Sequence, residues 1–272
     1  MSILEAIFLG ILQGATEFLP ISSSGHLVLV PRMFNLTQPS LTVIAIAHVG
    51  TLLAVLIYFS RDLWNILRAT LSGILQGAPL ATTEARLGWF IVVGSIPAAV
   101  AGLTLADFFD DVFSTPVAAA AFLLVTAVLL ATGERLLSGQ KKLAQMGWAD
   151  AIIIGLFQML ALLPGISRSG STITAGLARG LNRATAARYS FLLGVPAILG
   201  AGLLATLDLL EAGNLAAQAP ALLVTFLAAA VSGYACIHFL LSWLRRHSLY
   251  PFAIYCAVLG SGYLVLTFLG VW

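Results

Sequence analysis

Glu17, Ser22, Ser23, Ser24, Gly25 and His26 crowd into one stretch, QGATEFLPISSSGH, running from Gln13 to His26. Runs as apolar as a membrane interior flank it, Ile3–Leu12 before and Leu27–Val30 after. An unpaired carboxylate, hydroxyl or imidazole costs several kcal/mol to strip of water, so a polar knot in an oily frame marks a site. Serine is a weak nucleophile until a base takes its proton, and His26 stands three residues beyond Ser23, within reach across a turn. Gln13 and Glu17 are four apart and share one helix face. A carboxylate there has three uses: to orient a base, to accept a proton, or to hold a hard divalent cation, magnesium or calcium, shared with phosphate oxygens.

The knot is repeated. A shift of 145 positions lays Glu5–His26 over Asp150–Ser171 and brings Gln13 onto Gln158, Ser22 onto Ser167, Ser24 onto Ser169 and Gly25 onto Gly170. The second copy, QMLALLPGISRSGST, has Arg168 where the first has Ser23. A planar five-donor guanidinium among Ser167, Ser169, Ser171 and Thr172, before a helix expected to resume over Gly170–Gly180, is an arrangement that holds phosphate. A bare ion pair between Arg168 and Glu17 would not need those hydroxyls. The candidate phosphate clamp is therefore Ser167, Arg168, Ser169 and Thr172. The candidate reacting groups are Ser22, Ser23 and His26, each open as nucleophile, with Glu17 and Arg168 beside them; Glu17 and Gln13 are the candidate cation ligands. His48, in an apolar run beside Gly50 and Thr51, reads as helix-packing polarity, His238 as a core residue and His247 as solvated. No dinucleotide fingerprint, Walker-type loop or HExxH signature occurs.

The elements that must position these groups follow from composition. Of 272 residues, 60% are hydrophobic and 9% charged, which excludes a soluble domain and defines a polytopic all-α membrane protein. A net charge of +2 without a basic run argues against nucleic acid as a partner. Cys236 and Cys256 lie in apolar runs and read as small core residues. With Glu5 where a basic leader would be expected, insertion is expected to depend on the hydrophobic segments themselves. Six windows are long enough to cross about 30 Å of hydrocarbon: Leu41–Phe59, Leu87–Ala106, Pro116–Leu136, Thr185–Thr206, Ala221–Leu244 and Pro251–Val271. The motif regions, about residues 1–36 and 148–182, are each two short apolar pieces broken at the knot, the pattern of re-entrant helical hairpins lining a cavity. Asp62–Leu75 has the spacing of a helix lying on the membrane surface, and Pro97 and Pro196 are expected to kink their spans.

Eleven of the thirteen basic residues fall in connections on one side, which becomes cytoplasmic; Asp107, Asp110, Asp111, Asp208 and Glu211 mark the other. Six crossings then leave both termini outside, with one hairpin entering from each face. The chain reads as one membrane domain of two inverted-topology repeats, 1–136 and 148–272, whose breaks meet near the midplane.

QGATEFLPISSSGH followed by LPGISRSGST, with PFAIY from Pro251 near the end, resembles the undecaprenyl-diphosphate phosphatase family, the integral membrane enzymes associated with bacitracin resistance. The similarity covers nearly the whole chain. It implies hydrolysis of a prenyl diphosphate lipid to the monophosphate and inorganic phosphate, recycling the carrier for peptidoglycan and other wall polymers in the bacterial cytoplasmic membrane. It further implies a site open to the outer face, with the roles above carried onto Glu17, Ser22, Ser23, His26, Ser167, Arg168, Ser169 and Thr172. Gln13 departs from the pattern, which commonly has a second Glu there. A lipid-phosphate flippase using the same midplane residues is the alternative, and a homodimer is compatible with either.

Overall fold

The structure, a computed structural model, describes all residues except Ser114, Ser138, residues 212–214 and Trp272, and omits the side chains of Leu41, Asp110, Phe113 and residues 204–211 and 215–218. The acidic side chains expected on the non-basic side at Asp110, Asp208 and Glu211 thus lie outside the described residues. Among the described residues the secondary structure is helical, without strands.

The first knot lies between α1 (Ile3–Phe18) and α2 (Ser23–Met33), and the second between α8 (Trp148–Leu160) and α9 (Arg168–Ala178). The remaining helices are α3 (Leu41–Tyr58), α4 (Ser60–Leu75), α5 (Thr83–Thr104), α6 (Ala106–Phe113), α7 (Pro116–Arg135), α10 (Arg183–Glu211), α11 (Leu215–Trp243) and α12 (Tyr250–Phe268). Five of them are long and apolar enough to span a bilayer, and α3 with α4 makes a sixth through a 78° bend. All six expected windows coincide with helices. The amphipathic segment is α4, turned sharply off the end of α3. Large side chains such as Leu103, Val231 and Val258 face outward, as a lipid-embedded surface requires. The chain is a multi-pass membrane protein.

Local sequence explains how the broken pairs are set. Ser2 and Glu5 form a reciprocal capping box that starts α1. The stripe Ala6, Leu9, Gly10, Gln13, Gly14 and Glu17 is buried at helical spacing. Glycines bring this face onto the backbone of α11: a Cβ on Gly10 would stand 2.5 Å from the Thr225 carbonyl oxygen, and one on Gly14 the same distance from that of Ala229. Between α8 and α5 the same device operates, a Cβ on Gly155 falling 2.8 Å from Gly94 Cα. Without a hydrophobic drive between helices in lipid, such small-residue contacts are what hold them together.

Polar ties close the ends on the side of the basic connections. Glu134 pairs with Arg183 and accepts the Leu249 N–H, while Asp150 holds Lys141, Arg179 and the Gly147 N–H.

Candidate active site

The two breaks face each other. Leaving α1 at Phe18, the chain turns through Pro20 to Ser22, which sits at φ 71° and caps α2 by accepting the Gly25 N–H at 3.3 Å. A non-glycine residue at positive φ stores strain, the kind of local cost that recurs at functional sites. In the second break Ser167 caps α9 in the same way, accepting the Gly170 N–H at 3.0 Å with an ordinary φ of −68°. That cap starts α9 at Arg168, two residues before the expected start. Thr126 of α7 fixes this turn from behind, donating to the Gly165 carbonyl at 2.8 Å and accepting the Ser167 N–H at 3.0 Å. Gly165 has φ 96°, and a Cβ there would lie 2.9 Å from Phe122 Cβ, so glycine is required.

Reciprocal bonds lock the loops together. Ser24 Oγ accepts the Gly165 N–H at 3.4 Å, and Ser169 Oγ donates to the Leu19 carbonyl at 3.1 Å. At the centre Arg168 Nη2 donates to Glu17 Oε1 at 2.8 Å. The other oxygen, Oε2, accepts from Ser23 Oγ at 2.6 Å and from Gln13 Nε2 at 3.0 Å. A second guanidinium nitrogen donates to the Ser190 carbonyl of α10 at 3.1 Å. The guanidinium lies over Gly194, where a Cβ would come within 2.6 Å of Arg168 Cζ.

A cavity of 370 Å³ opens onto this centre. Glu17, Ser22, Ser23, Ser24, His48, Ser167 and Arg168 form its polar wall, and Phe109, Leu162, Ile166, Ala197 and Ile198 belong to an apolar one. A larger cavity of 660 Å³, between Asp62, Lys142, Arg188 and Arg245, lies at the opposite ends of α5 and α10 and holds none of the motif residues.

The sequence-predicted residues divide accordingly. Glu17, Ser23 and Arg168 form one hydrogen-bonded unit on the cavity, with Ser22 and Ser167 at its edge. Ser169 and Thr172 are buried and committed to protein partners: Thr172 Oγ1 bonds the Arg168 carbonyl and the Ser190 hydroxyl, each at 2.7 Å. His26 turns away from Ser23. Its Nδ1 pairs with the Ser22 carbonyl and its Nε2 with the Tyr255 hydroxyl, both at 2.7 Å, and the two rings stack. His238 reaches Tyr58 at 3.5 Å, and His247 stacks on Trp243.

His48 departs from its reading as packing polarity, because it lines the cavity with Nε2 3.8 Å from Glu17 Oε2. Nothing in its local sequence signals this; only the packing of α3 against α1 brings it there. Ser190, Gly194 and Tyr255 were also missed, since each acts on the site from a helix distant in sequence.

For a cation the donor set is small but compatible. Gln13 Oε1 is buried without a hydrogen-bond partner beside the Glu17 carboxylate, and magnesium commonly binds through one or two carboxylates with substrate phosphate oxygens completing the shell. Among the described residues no group of three His, Cys, Asp or Glu side chains offers a closed protein cage.

Fold and site together define a class: a polytopic helical membrane protein with a buried arginine–carboxylate pair held between two helix breaks. The model of the bacitracin resistance protein BacA family matches residues 6–262, and the chain belongs to that family. It is 46% identical over 266 residues to the undecaprenyl-diphosphatase of Myxococcus xanthus, covering 98% of this chain and 89% of that one. The undecaprenyl-diphosphatase of Thermomicrobium roseum is 46% identical over 268 residues, covering 96% of each chain. That of Chlorobium limicola is 42% identical over 282 residues, covering 100% and 99%.

Proposed function

We infer that this chain hydrolyses undecaprenyl diphosphate to undecaprenyl phosphate and inorganic phosphate, recycling the lipid carrier for cell-wall polymers. The observation that carries the reading is the unit Ser23–Glu17–Arg168, assembled from both breaks at the mouth of a half-apolar cavity, in a chain whose full-length relatives bear that activity's name.

The terminal phosphate sits against the Arg168 guanidinium, with the positive ends of α2 and α9 directed at it and Ser167 at the rim. Ser23 is the nucleophile. Ser22 Oγ is spent on its cap and on Ser24 at 3.3 Å, and both His26 nitrogens are bonded elsewhere, whereas the Ser23 hydroxyl donates to a carboxylate and faces the cavity. His26, held by Tyr255, braces the first turn of α2 rather than acting on serine. Arg168 offsets charge on the transferring phosphoryl group, and the apolar wall takes the first carbons of the prenyl chain at up to about 0.8 kcal/mol per CH₂. Gln13 and Glu17 would hold a divalent cation, which would supply further charge neutralisation for the diphosphate.

Contacts between helices support the inverted repeat. The 145-residue shift maps α1 onto α8, and α1 packs on α11 through Gly10 as α8 packs on α5 through the equivalent Gly155. Both broken pairs are then re-entrant, with basic connections cytoplasmic and both termini outside. The cavity touches Gly102 at the end of α5 and Ala197–Ala201 of α10, the ends away from those connections, so it opens outward.

Phosphate release by the detergent-purified chain tests the reading. Release from a prenyl diphosphate, raised by added magnesium or calcium and reduced by chelation, is expected. No release with either cation present overturns it and leaves lipid-phosphate transport as the better account.

A further inference from the structure

The larger cavity, of 660 Å³, takes no part in the site described above, and its wall sets cations beside apolar side chains. Lys142, Arg188 and Arg245 reach it from three separate segments: the turn before α8, the helix α10 and the end of α11. Phe59, Ile66, Leu87, Leu192 and Leu241 supply the apolar part, and Asp62 and Glu84 are its acids. Glu84 lies in the first turn of α5, where the helix dipole already favours its charge. Asp62 is taken up by Arg188 at 2.7 Å, an exposed pair of small worth. Among the described residues the Lys142 ammonium and the Arg245 guanidinium form no hydrogen bond or ion pair, so two cations stand open on the cavity. Thr83 at the start of α5 and Asn182 and Thr185 at the start of α10 also line the wall, which adds the positive ends of two helix dipoles.

The height of this cavity in the bilayer follows from α4. After the 78° bend that helix runs across the spans, with Asp62, Asn65 and Ile66 on the cavity and Trp64, Leu67 and Leu71 exposed. An amphipathic helix with tryptophan and leucine on its outer face, and Arg61 and Arg68 along it, has the pattern of one lying in a headgroup layer. A cavity bordered by such a helix is level with lipid phosphates. A phosphate entering it meets the cations, and the chains attached to that phosphate meet the apolar wall. A freely soluble anion would gain nothing from that wall.

We propose that this cavity is a second binding site, for the phosphate headgroup of an anionic lipid. Lys142 and Arg245 take the phosphate oxygens, Arg188 joins them by exchanging Asp62 for phosphate, and the apolar wall holds the upper part of the lipid chains. The site lies at the ends of α5 and α10 opposite the 370 Å³ cavity and does not depend on the phosphatase reading.

The test follows binding of dioctanoyl phosphatidic acid to the full chain in neutral detergent by titration calorimetry, with dioctanoyl phosphatidylcholine and inorganic phosphate as comparisons. Saturable binding of phosphatidic acid, about tenfold tighter than either comparison or better, is expected. Lys142→Gln and Arg245→Gln each remove a charged hydrogen bond and should weaken it about tenfold. Asp62→Asn removes the competing carboxylate and should strengthen it by up to about fivefold, a gain that damage to the fold would not give. Arg168→Ala reports any share taken by the 370 Å³ cavity. Binding lost in Arg168→Ala and kept in Lys142→Gln and Arg245→Gln overturns the second site. So do equal affinities for phosphatidic acid and phosphatidylcholine, affinity for inorganic phosphate equal to that for the lipid, or weaker binding by Asp62→Asn. Should a variant lacking one of the cations unfold, the sign of the Asp62→Asn change decides alone.

Discussion

The two breaks share a scaffold and differ in what they carry. In each, a serine caps the following helix through the N–H of a glycine three residues on, at 3.3 Å in the first and 3.0 Å in the second. In each, that serine also contacts the hydroxyl two residues ahead, at 3.3 Å and 3.2 Å. That third serine, Ser24 or Ser169, bonds the backbone of the opposite loop. The first helical position is where they part: Ser23 in one copy, Arg168 in the other. The same framework therefore presents a hydroxyl and a guanidinium to one carboxylate from two sides. Backbone strain falls on the hydroxyl side, where Ser22 at φ 71° turns the chain so that Ser23 reaches back to Glu17 in the preceding helix. The caps match, while the 145-residue shift sets Arg168 against Ser23 and Leu162 against Glu17, so the centre takes its guanidinium from one break and its carboxylate and hydroxyl from the other.

The hardest test of that contrast is to erase it. Arg168→Ser gives the second break the first break's residue, and turnover is expected to fall by about 10³-fold or more, the range of an arginine that stabilises phosphoryl transfer. The change also leaves Glu17 buried without its cation, a cost of about 3–5 kcal/mol. Adding Glu17→Gln should recover much of the thermal stability and none of the turnover. Near-parent phosphate release by Arg168→Ser would mean that the frame alone does the work. On the other side, Ser23→Ala should lose turnover to a similar degree, while Ser22→Ala should lower the unfolding free energy by about 1 kcal/mol through its cap and spare most of the rate. Equal rate losses from the two serines would remove the distinction between nucleophile and cap.

A smaller effect is expected where the guanidinium is seated. Gly194→Ala puts a methyl group against Arg168, and overpacking of this kind costs about 1–3 kcal/mol. Displaced from Glu17, Arg168 should support turnover reduced roughly tenfold for each 1.4 kcal/mol of misplacement. Gly200→Ala in the same helix meets open space and serves as the control. Equal rates in the two variants would show that Arg168 does not depend on its seat over α10.

These outcomes also mark what was legible in the sequence. The spans, the two breaks and the pairing of Glu17 with the Arg168 loop follow from hydrophobic length and from polar groups that lipid does not tolerate unpartnered. Both signals are local and strong. His48, Ser190, Gly194 and Tyr255 carried no such signal: a histidine or serine on an apolar helix satisfies its own i−4 carbonyl, as His48 does with Ile44, and so looks like packing. Their roles exist only once α3, α10 and α12 are laid against the breaks. His26 erred the other way, since three residues of separation from Ser23 suggested a contact that the helical start directs to Tyr255 instead.

The finest test concerns the part the two breaks have in common. Ser24→Ala and Ser169→Ala each remove one hydroxyl bond between the loops, to the Gly165 N–H and to the Leu19 carbonyl. Each should lower the unfolding free energy by about 1 kcal/mol, and by similar amounts if the copies are structural equals. The bonds close the same joint, so the double variant should fall short of the sum by about 0.5 kcal/mol or more, the mark of coupled positions. Ser169 is buried while Ser24 lies on the cavity, so water can replace the lost partner of Gly165 more readily than that of Leu19, and Ser169→Ala should be the costlier of the two. Additive losses, or a costlier Ser24→Ala, would show that the loops are held by the Arg168–Glu17 pair and not by the duplicated hydroxyls.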